Sequence, residues 1–240
     1  MKKLILPSLI ILTLFFSSCL EDRILPSGDT TTILFEYDNY SSLSVSDAFN
    51  VEVVYDSIDP HVSVTVDVNL VPHLEVIQQD QNLVIGLQRG VYVKGSTLLN
   101  ATVYAKKIPK KINASGASNI LITDRYVSDD MSIELSGASK LEATIQSTSL
   151  YLNLSGASTA SLAGESRLYL AECSGASTLR GYDLKVDQLI VDLSGASTGL
   201  FSVNESIIAD ASGASSIRYR GAAEVLRANL SGGSNLLKTD

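Results

Sequence analysis

The sequence predicts an all-β protein, a single elongated parallel β-solenoid of the β-helix-like kind, with coils of about 19 residues. Three observations predict it. The tetrapeptide Ser-Gly-Ala-Ser begins at Ser115, Ser136, Ser155, Ser174, Ser194 and Ser212, and a Ser-Gly-Gly-Ser variant begins at Ser231, at spacings of 21, 19, 19, 20, 18 and 19 residues. Apolar residues alternate on both sides of each copy with the two-residue period of a strand. No ten-residue stretch carries a competing amphipathic helical pattern. A repeat this short lies below the period of helical repeats and suits one turn of a solenoid, whose strands stack at about 4.8 Å.

The chain opens on a short positive stretch, Met1-Lys2-Lys3, and an apolar run from Leu4 to Phe16 that is too short to span a bilayer comfortably. This is the pattern of a secretion signal. It ends Phe16-Ser17-Ser18-Cys19, which resembles the bacterial lipobox, so residues 1–18 are expected to leave and Cys19 to be the lipidation site. Phe16 stands where Leu is more usual. The mature chain then has 222 residues and, with Lys2 and Lys3 gone, a net charge near −10. Acyl chains contribute about 0.8 kcal/mol per buried CH₂, so two or three of them hold a protein on a membrane without help from its fold. Residues 19–32, with Pro26, Ser27, Gly28 and Asp29 near their end, read as a lipidated tether that lifts the domain off the membrane.

Residues 33–112 read as strands without the serine motif: Ile33 to Tyr37, Leu43 to Val45, Asn50 to Val54, Val62 to Val68, Leu74 to Ile77, Leu83 to Leu87 and Leu98 to Tyr104. They are expected to form either less regular early coils or a sheet that caps the solenoid, because a bare terminal coil is an open edge. Residues 113–240 hold the repeats. Just before each motif, Ala114, Leu135, Leu154, Cys173, Leu193, Ala211 and Leu230 occupy one column, and two residues earlier stand Ile112, Ile133, Leu152, Ala171, Val191, Ala209 and Ala228. Both columns are expected to point inward. After the motif, Ile120 and Ile122, Leu141 and Ala143, Ala160 and Leu162, and Ile217 and Tyr219 mark a second inward strand. Leu179/Gly181 and Gly199/Phe201 fit this pattern less well.

The motif reads as a corner. Gly116, Gly137, Gly156, Gly175, Gly195, Gly213 and Gly232 let the chain turn, Ala is expected to fill the interior of the corner, and the two Ser columns to form hydroxyl ladders. A serine nucleophile is the rival reading. It fails because no Ser has Gly two residues away on both sides and no His lies anywhere in residues 101–240. The column between the inward ones is exposed and polar: Asn113, Glu134, Asn153, Glu172, Asp192, Asp210 and Asn229. Of these, Glu134, Asn153, Glu172, Asp192 and Asp210 make a candidate binding column for a hard cation or sugar hydroxyls. Acids stacked this closely are expected to raise some of their own pKa values or recruit cations. The alternative is a solvated ladder that discourages misregistered stacking. One row further out, Tyr151, Leu170, Ile190 and Ile208 form a candidate interface stripe for a partner or a second copy, unless a bulge at Leu168-Tyr169-Leu170-Ala171 turns Leu170 inward.

Composition excludes several classes. With 26 Asp and Glu against 18 Lys and Arg, and a longest basic run of Lys106-Lys107 and Lys110-Lys111, nucleic acid is not an expected partner. Two Cys rule out a disulfide scaffold, and His61 and His73 lie twelve residues apart beside Pro60 and Pro72 with no further ligand spacing. Cys173 sits in an inward column and is expected to be a small core residue. No metal and no cofactor is called for. Asn113, Asn153 and Asn229 fall in glycosylation-like triplets only because the repeat puts Asn before Ser.

Taken in order, Val45 to Val53, Val64 to Leu74, Asn82 to Ile85, Ala101 to Ala105 with Ile108, and then the repeated Ser-Gly-Ala-Ser resemble the putative auto-transporter adhesin, head GIN domain family of secreted Bacteroidetes-type proteins over residues 35–238. The resemblance implies a β-helix-like exported domain with no established enzymatic activity and no catalytic residue to carry over. Glu21-Asp22 is similar to the acidic surface-export signal of Bacteroidetes lipoproteins. The expectation is therefore a non-enzymatic outer-membrane lipoprotein, exposed on the cell surface, that acts in adhesion, surface binding or envelope structure. Its expected partners are the membrane and a surface glycan or protein. The alternatives are a carbohydrate-active β-helix enzyme using the outer carboxylates, and an envelope scaffold or sensor. Arg180, Lys185, Arg218, Arg220 and Arg227 are too scattered to grip an acidic polysaccharide, which weighs against the enzyme.

Overall fold

The computed structural model describes residues 23–240, so the signal segment and Cys19 lie outside the described residues. Short strands come first: β1 (Arg23–Ile24), β2 (Thr30–Phe35), β3 (Ser42–Val45), β4 (Asn50–Tyr55) and β5 (His61–Asp67). A 3₁₀ turn at Val68–His73 leads to β6 (Leu74–Gln79), β7 (Asn82–Leu87), β8 (Tyr92–Val93), β9 (Leu99–Ala105) and β10 (Lys111–Ala114). Five long strands follow, each running from one serine corner to the next: β11 (Asn119–Leu135), β12 (Lys140–Leu154), β13 (Thr159–Cys173), β14 (Thr178–Leu193) and β15 (Thr198–Ala211). The chain ends in β16 (Ser216–Arg220), β17 (Glu224–Leu230) and β18 (Asn235–Lys238). Together they make a β-solenoid of about 7 turns with coils of about 19 residues.

Consecutive coils pair in parallel, with equivalent positions in register. Ile112 lies beside Ile133, then Leu152, Ala171, Val191 and Ala209. These residues are buried, as are Leu135, Leu154, Cys173 and Leu193 in the next inward row. Fully burying one Leu or Ile contributes about 1.5–3 kcal/mol relative to leaving it exposed, so each coil adds several such terms to one continuous core. One of the two weak steps in the pattern is compensated within itself. Gly199 is buried beside Phe201, and a Cβ on Gly199 would meet the Phe201 ring at 2.5 Å, so the missing side chain makes room for the large one. The shortest coil drops residues at one bend and regains one just after it: Gly181 pairs with Phe201 and Lys185 with Ser202, leaving Tyr182, Asp183 and Leu184 without partners in β15, and a second register shift between Val186 and Gln188 leaves the coil two residues shorter.

The corners differ from the sequence expectation in one respect. Ala117 is exposed, whereas the second Ser of the motif is buried at Ser118, Ser139, Ser158, Ser177, Ser197 and Ser215. Its hydroxyl bonds first within its own corner: Ser158 Oγ donates to the Ser155 carbonyl at 2.8 Å, and Ser177 does the same to Ser174 at 2.7 Å; in the last coils it also reaches the preceding coil, Ser215 Oγ lying 3.2 Å from the Leu193 carbonyl. A buried apolar residue would leave that carbonyl with less support, which is why a polar side chain lies inside. Coil-to-coil contact is made by the backbone, with Ala157 N–H donating to the Gly137 carbonyl at 2.7 Å.

The N-terminal part continues both sides of the stack and then closes them. On one side β3 pairs in parallel with β10 and β7, and β7 turns back into the antiparallel strand β6. On the other, β4 pairs in parallel with β11 and β9, and β9, β5 and β2 run antiparallel to the outer edge. Leu70 of the 3₁₀ turn is buried between them in the core. Ser46-Asp47-Ala48-Phe49 is thus an eighth corner, with Asp47 at the glycine position (φ 60°) and Phe49 buried where the other corners bury Ser. Residues 23–32 of the expected tether are part of the folded domain. Arg23 and Ile24 pair with Tyr92 and Val93, Ser27 N–H donates to Asn69 Oδ1 at 3.0 Å, and Gly28 N–H donates to Asp67 Oδ1 at 2.8 Å.

Candidate functional site

The coil register decides where the exposed columns go. Asn113 lies beside Glu134, then Asn153, Glu172, Asp192, Asp210 and Asn229, one residue per coil at about 4.8 Å steps. All five residues of the candidate binding column therefore share one outer sheet face. Tyr151, Leu170, Ile190 and Ile208 are also register partners and form the adjacent row on that face. Leu170 points outward, with Tyr169 and Ala171 buried on either side, so no bulge turns it in. Ile190 is 41% exposed and the other three are half-buried. Ser132 precedes this apolar row and Arg227 follows it.

The polar column is not a bare run of repelling acids. Glu134 meets Lys111 Nζ at 2.9 Å. Glu172 Oε2 accepts from Tyr151 Oη at 3.0 Å and from Asn153 Nδ2 at 3.2 Å, both in the coil before it. Asp210 accepts from Asn229 Nδ2 and Arg227 Nη2, each at 2.6 Å, both in the coil after it. Glu172 and Asp210 are thus drawn to opposite sides of Asp192, which is exposed between them. The expectation that crowding raises a pKa is not met at Asp210. The Asn229 hydrogen bond, and then Arg227, hold its carboxyl below the ordinary carboxylate range. The amides and cations interleaved with the acids account for the difference. Among the described residues, no three His, Cys, Asp or Glu side chains come together to hold a metal ion.

Other singled-out residues have structural settings. Cys173 is a buried free thiol, and burial pushes its pKa up to about 12. His61 stacks on Tyr104 with ring centroids 4.4 Å apart, and its Nδ1 lies 2.8 Å from the Asp59 carbonyl. The glycines of the corners stack on one another; a Cβ on Gly156 would lie 2.4 Å from the Gly137 carbonyl oxygen.

Two surface features went unread in the sequence. Near the other ends of the same long strands a shallow groove of about 620 Å³ runs past Asn50, Asn100, Asn119, Lys140, Glu142 and Arg180. The asparagines form a ladder, Asn119 Nδ2 donating to Asn50 Oδ1 at 2.7 Å and Asn50 Nδ2 to Asn100 Oδ1 at 3.2 Å. The signal for it was present: directly after each buried Ser the column reads Asn119, Lys140, Thr159, Thr178, Thr198, Ser216 and Asn235, polar throughout. The second is a hollow beside the loop that carries Lys106, Lys107 and Lys110.

Comparison with known proteins agrees with this architecture. The model of the family described as putative auto-transporter adhesin, head GIN domain, matches residues 39–223. A crystal structure of a putative adhesin from Bacteroides fragilis is similar with a TM-score of 0.79 at 17% identity, covering 90% of this chain and 98% of that one. A putative lipid binding protein from Parabacteroides distasonis gives a TM-score of 0.71 at 16% identity, covering 91% of this chain and 100% of that one. A putative adhesin from Parabacteroides merdae gives 0.67 at 16%, with 91% and 100% covered. Identities this low speak for the fold. No curated protein matches. The family match spans well over half of the chain, which therefore belongs to the putative auto-transporter adhesin, head GIN domain family.

Proposed function

We propose that this chain is an exported lipoprotein, held in the outer membrane through Cys19 and exposed on the cell surface, that works as a non-enzymatic adhesion module. Its contact face is the sheet that carries the apolar row Tyr151, Leu170, Ile190 and Ile208 beside the polar column Glu134, Asn153, Glu172, Asp192 and Asp210. One observation carries the reading: the two rows run side by side in unbroken register over consecutive coils. The adhesin-like family and fold support it.

The chemistry of the face fits a surface glycan or a protein. The apolar row spans three coil steps, about 14 Å, and gives contact area that water leaves on binding. The carboxylates and amides next to it supply acceptors and donors for hydroxyl or amide groups. Repetition lets one extended ligand engage several coils at once, so weak contacts add into avidity. A partially braced carboxylate row needs no reaction to do this.

The test uses cells that carry the protein. Protease added to intact cells should remove it, and Cys19→Ala should release it from the membrane fraction. Leu170→Lys with Ile190→Lys should abolish adherence while leaving the amount of protein unchanged. Protease resistance on intact cells combined with cleavage after lysis would place the protein inside the envelope. Release of shortened saccharide, lost on Glu172→Gln, would instead favour the carbohydrate-active enzyme.

A further inference from the structure

The basic run of an otherwise acidic chain has a defined place. Lys106, Lys107 and Lys110 lie on the loop from β9 to β10, on the first coil above the N-terminal cap. The loop is fixed at several points. Asp56 N–H donates to the Ala105 carbonyl at 2.9 Å, Tyr126 Oη to the Pro109 carbonyl at 2.6 Å, and Ser132 N–H to the Lys110 carbonyl at 2.9 Å. Among the described residues none of these three lysines forms an ion pair, whereas Lys111 is held by Glu134 at 2.9 Å and Arg125 by Glu165 at 3.1 Å.

Apolar groups accompany the charge. The lysines border a hollow of about 590 Å³ whose wall includes Tyr55, 54% exposed, and Val127, 68% exposed. Asp124 also borders it but accepts the Tyr55 backbone N–H at 2.7 Å. On the other side of the loop, Asp38 is met by Asn39 Nδ2 at 2.8 Å. Cations beside exposed aromatic and aliphatic side chains suit a surface that is anionic at its boundary and apolar beneath it. Tyr favours that boundary, and long Lys side chains keep their heads in it while their stems lie on apolar groups.

The distance to a membrane is also bounded. Arg23 is the first described residue and pairs with Tyr92, and only four peptide steps separate it from Cys19. Each step spans at most about 3.6 Å, so a lipid anchor at Cys19 holds the start of the cap within about 14 Å of the bilayer. A tether so short keeps the cap end of the solenoid down, and the charge pattern selects which side of the cap faces the lipid.

We infer that the cap end of the solenoid docks on an anionic lipid surface through Lys106, Lys107 and Lys110, with Tyr55 and Val127 as the apolar contacts. The inference rests on the reading of Cys19 as the anchor. It places the cap end of the solenoid at the membrane.

The protein isolated from membranes is reconstituted in nanodiscs of phosphatidylcholine alone or with added phosphatidylglycerol. Acetylation of each lysine is then followed by mass spectrometry. Three lysines favour the docked orientation by roughly 100-fold, so Lys106, Lys107 and Lys110 should react at least ~10-fold more slowly on the anionic discs. Lys185 and Lys238 should react alike on both, and high salt should erase the difference. Hydrogen exchange of residues 123–128 should slow on the anionic discs as well, and Lys106→Gln/Lys107→Gln/Lys110→Gln should abolish that slowing. Equal reactivity on both discs would overturn the inference. So would equal protection by inorganic phosphate on neutral discs, which would mark a soluble-anion site, or stronger protection by an acidic oligosaccharide. Loss of the protein from both kinds of disc would instead remove the anchor reading on which the inference stands.

Discussion

Gly156→Ala and Gly116→Ala place the same methyl group at equivalent corners, and their difference measures how closely the coils stack. Both glycines have positive φ, 70° and 63°, so the backbone conformation costs an alanine about 1–2 kcal/mol at either site. At Gly116 the new Cβ would lie 3.0 Å from the Asp47 backbone nitrogen, a tight contact at the last corner before the cap. At Gly156 it would lie 2.4 Å from the Gly137 carbonyl oxygen, where ordinary contact begins near 3.4 Å. The coils there are also tied by the 2.7 Å bond from Ala157 N–H to the same oxygen. Relieving the clash therefore costs about 1–3 kcal/mol of overpacking and about 1 kcal/mol of weakened hydrogen bonding on top of the backbone cost. Gly156→Ala should destabilise by about 3–6 kcal/mol and Gly116→Ala by about 1–3 kcal/mol. Urea denaturation gives both values, with the slope compared to detect loss of cooperativity, because a solenoid broken in its middle can unfold in parts. Equal destabilisation by the two substitutions would refute the stacking argument and leave backbone conformation as the whole reason for the glycines.

Three further outcomes are expected. Ser158→Ala removes the 2.8 Å bond to the Ser155 carbonyl and should cost about 1 kcal/mol in the same denaturation assay, far less than the glycine change at that corner. Cys173, buried with its thiol pushed up to about 12, should resist alkylation at pH 8 in native protein and react quickly once denatured. A thiol whose folded pKa is raised above the unfolded value of 9.0 favours folding below that pH, and this contribution is lost as pH rises from 9.0 towards 12; Cys173→Ala should lack this part of the alkaline destabilisation. Asp210, held low first by Asn229 and then by Arg227, favours folding above the ordinary carboxyl value of 3.8 and loses that contribution as pH falls below it. Asn229→Ala with Arg227→Gln should raise its NMR titration midpoint and narrow that acid-labile range.

The repeat carried most of the architecture. Seven corners at nearly constant spacing, with Ile133, Leu152 and Val191 in one column and Leu135, Leu154 and Leu193 in the next, set both the coil length and the inward rows. The same spacing put Glu172, Asp192 and Asp210 on one face, because a single residue per coil repeats at every step. The first corner was hidden. Asp47 takes the glycine position because the strand below it belongs to the cap, and its carboxylate accepts the Leu87 N–H of that strand at 2.9 Å.

The Ala and Ser of the motif were read in the wrong orientation because hydropathy favours burying Ala. The turn instead buries a hydroxyl that bonds its own carbonyl. Residues 23–32 looked like a tether since Ser27, Gly28 and Asp29 are loop formers; what holds them is Asn69 and Asp67, about forty residues away. The bracing of the acids was equally remote from local pattern. It depends on which way Tyr151 and Arg227 reach across a coil boundary, and spacing alone does not carry that.

The most direct measurement is the binding of protein-coated beads to host or neighbouring cell surfaces. It compares the unaltered chain, Leu170→Lys/Ile190→Lys on the proposed contact face, and Lys140→Glu/Arg180→Glu in the groove beside Asn50 and Asn119. The expected result is loss of binding for the first pair and retention for the second, with both variants within about 0.5–1 kcal/mol of the parent in stability. Binding that survives the first pair and fails with the second would contradict the assignment and move adhesion to the groove beside Asn50 and Asn119.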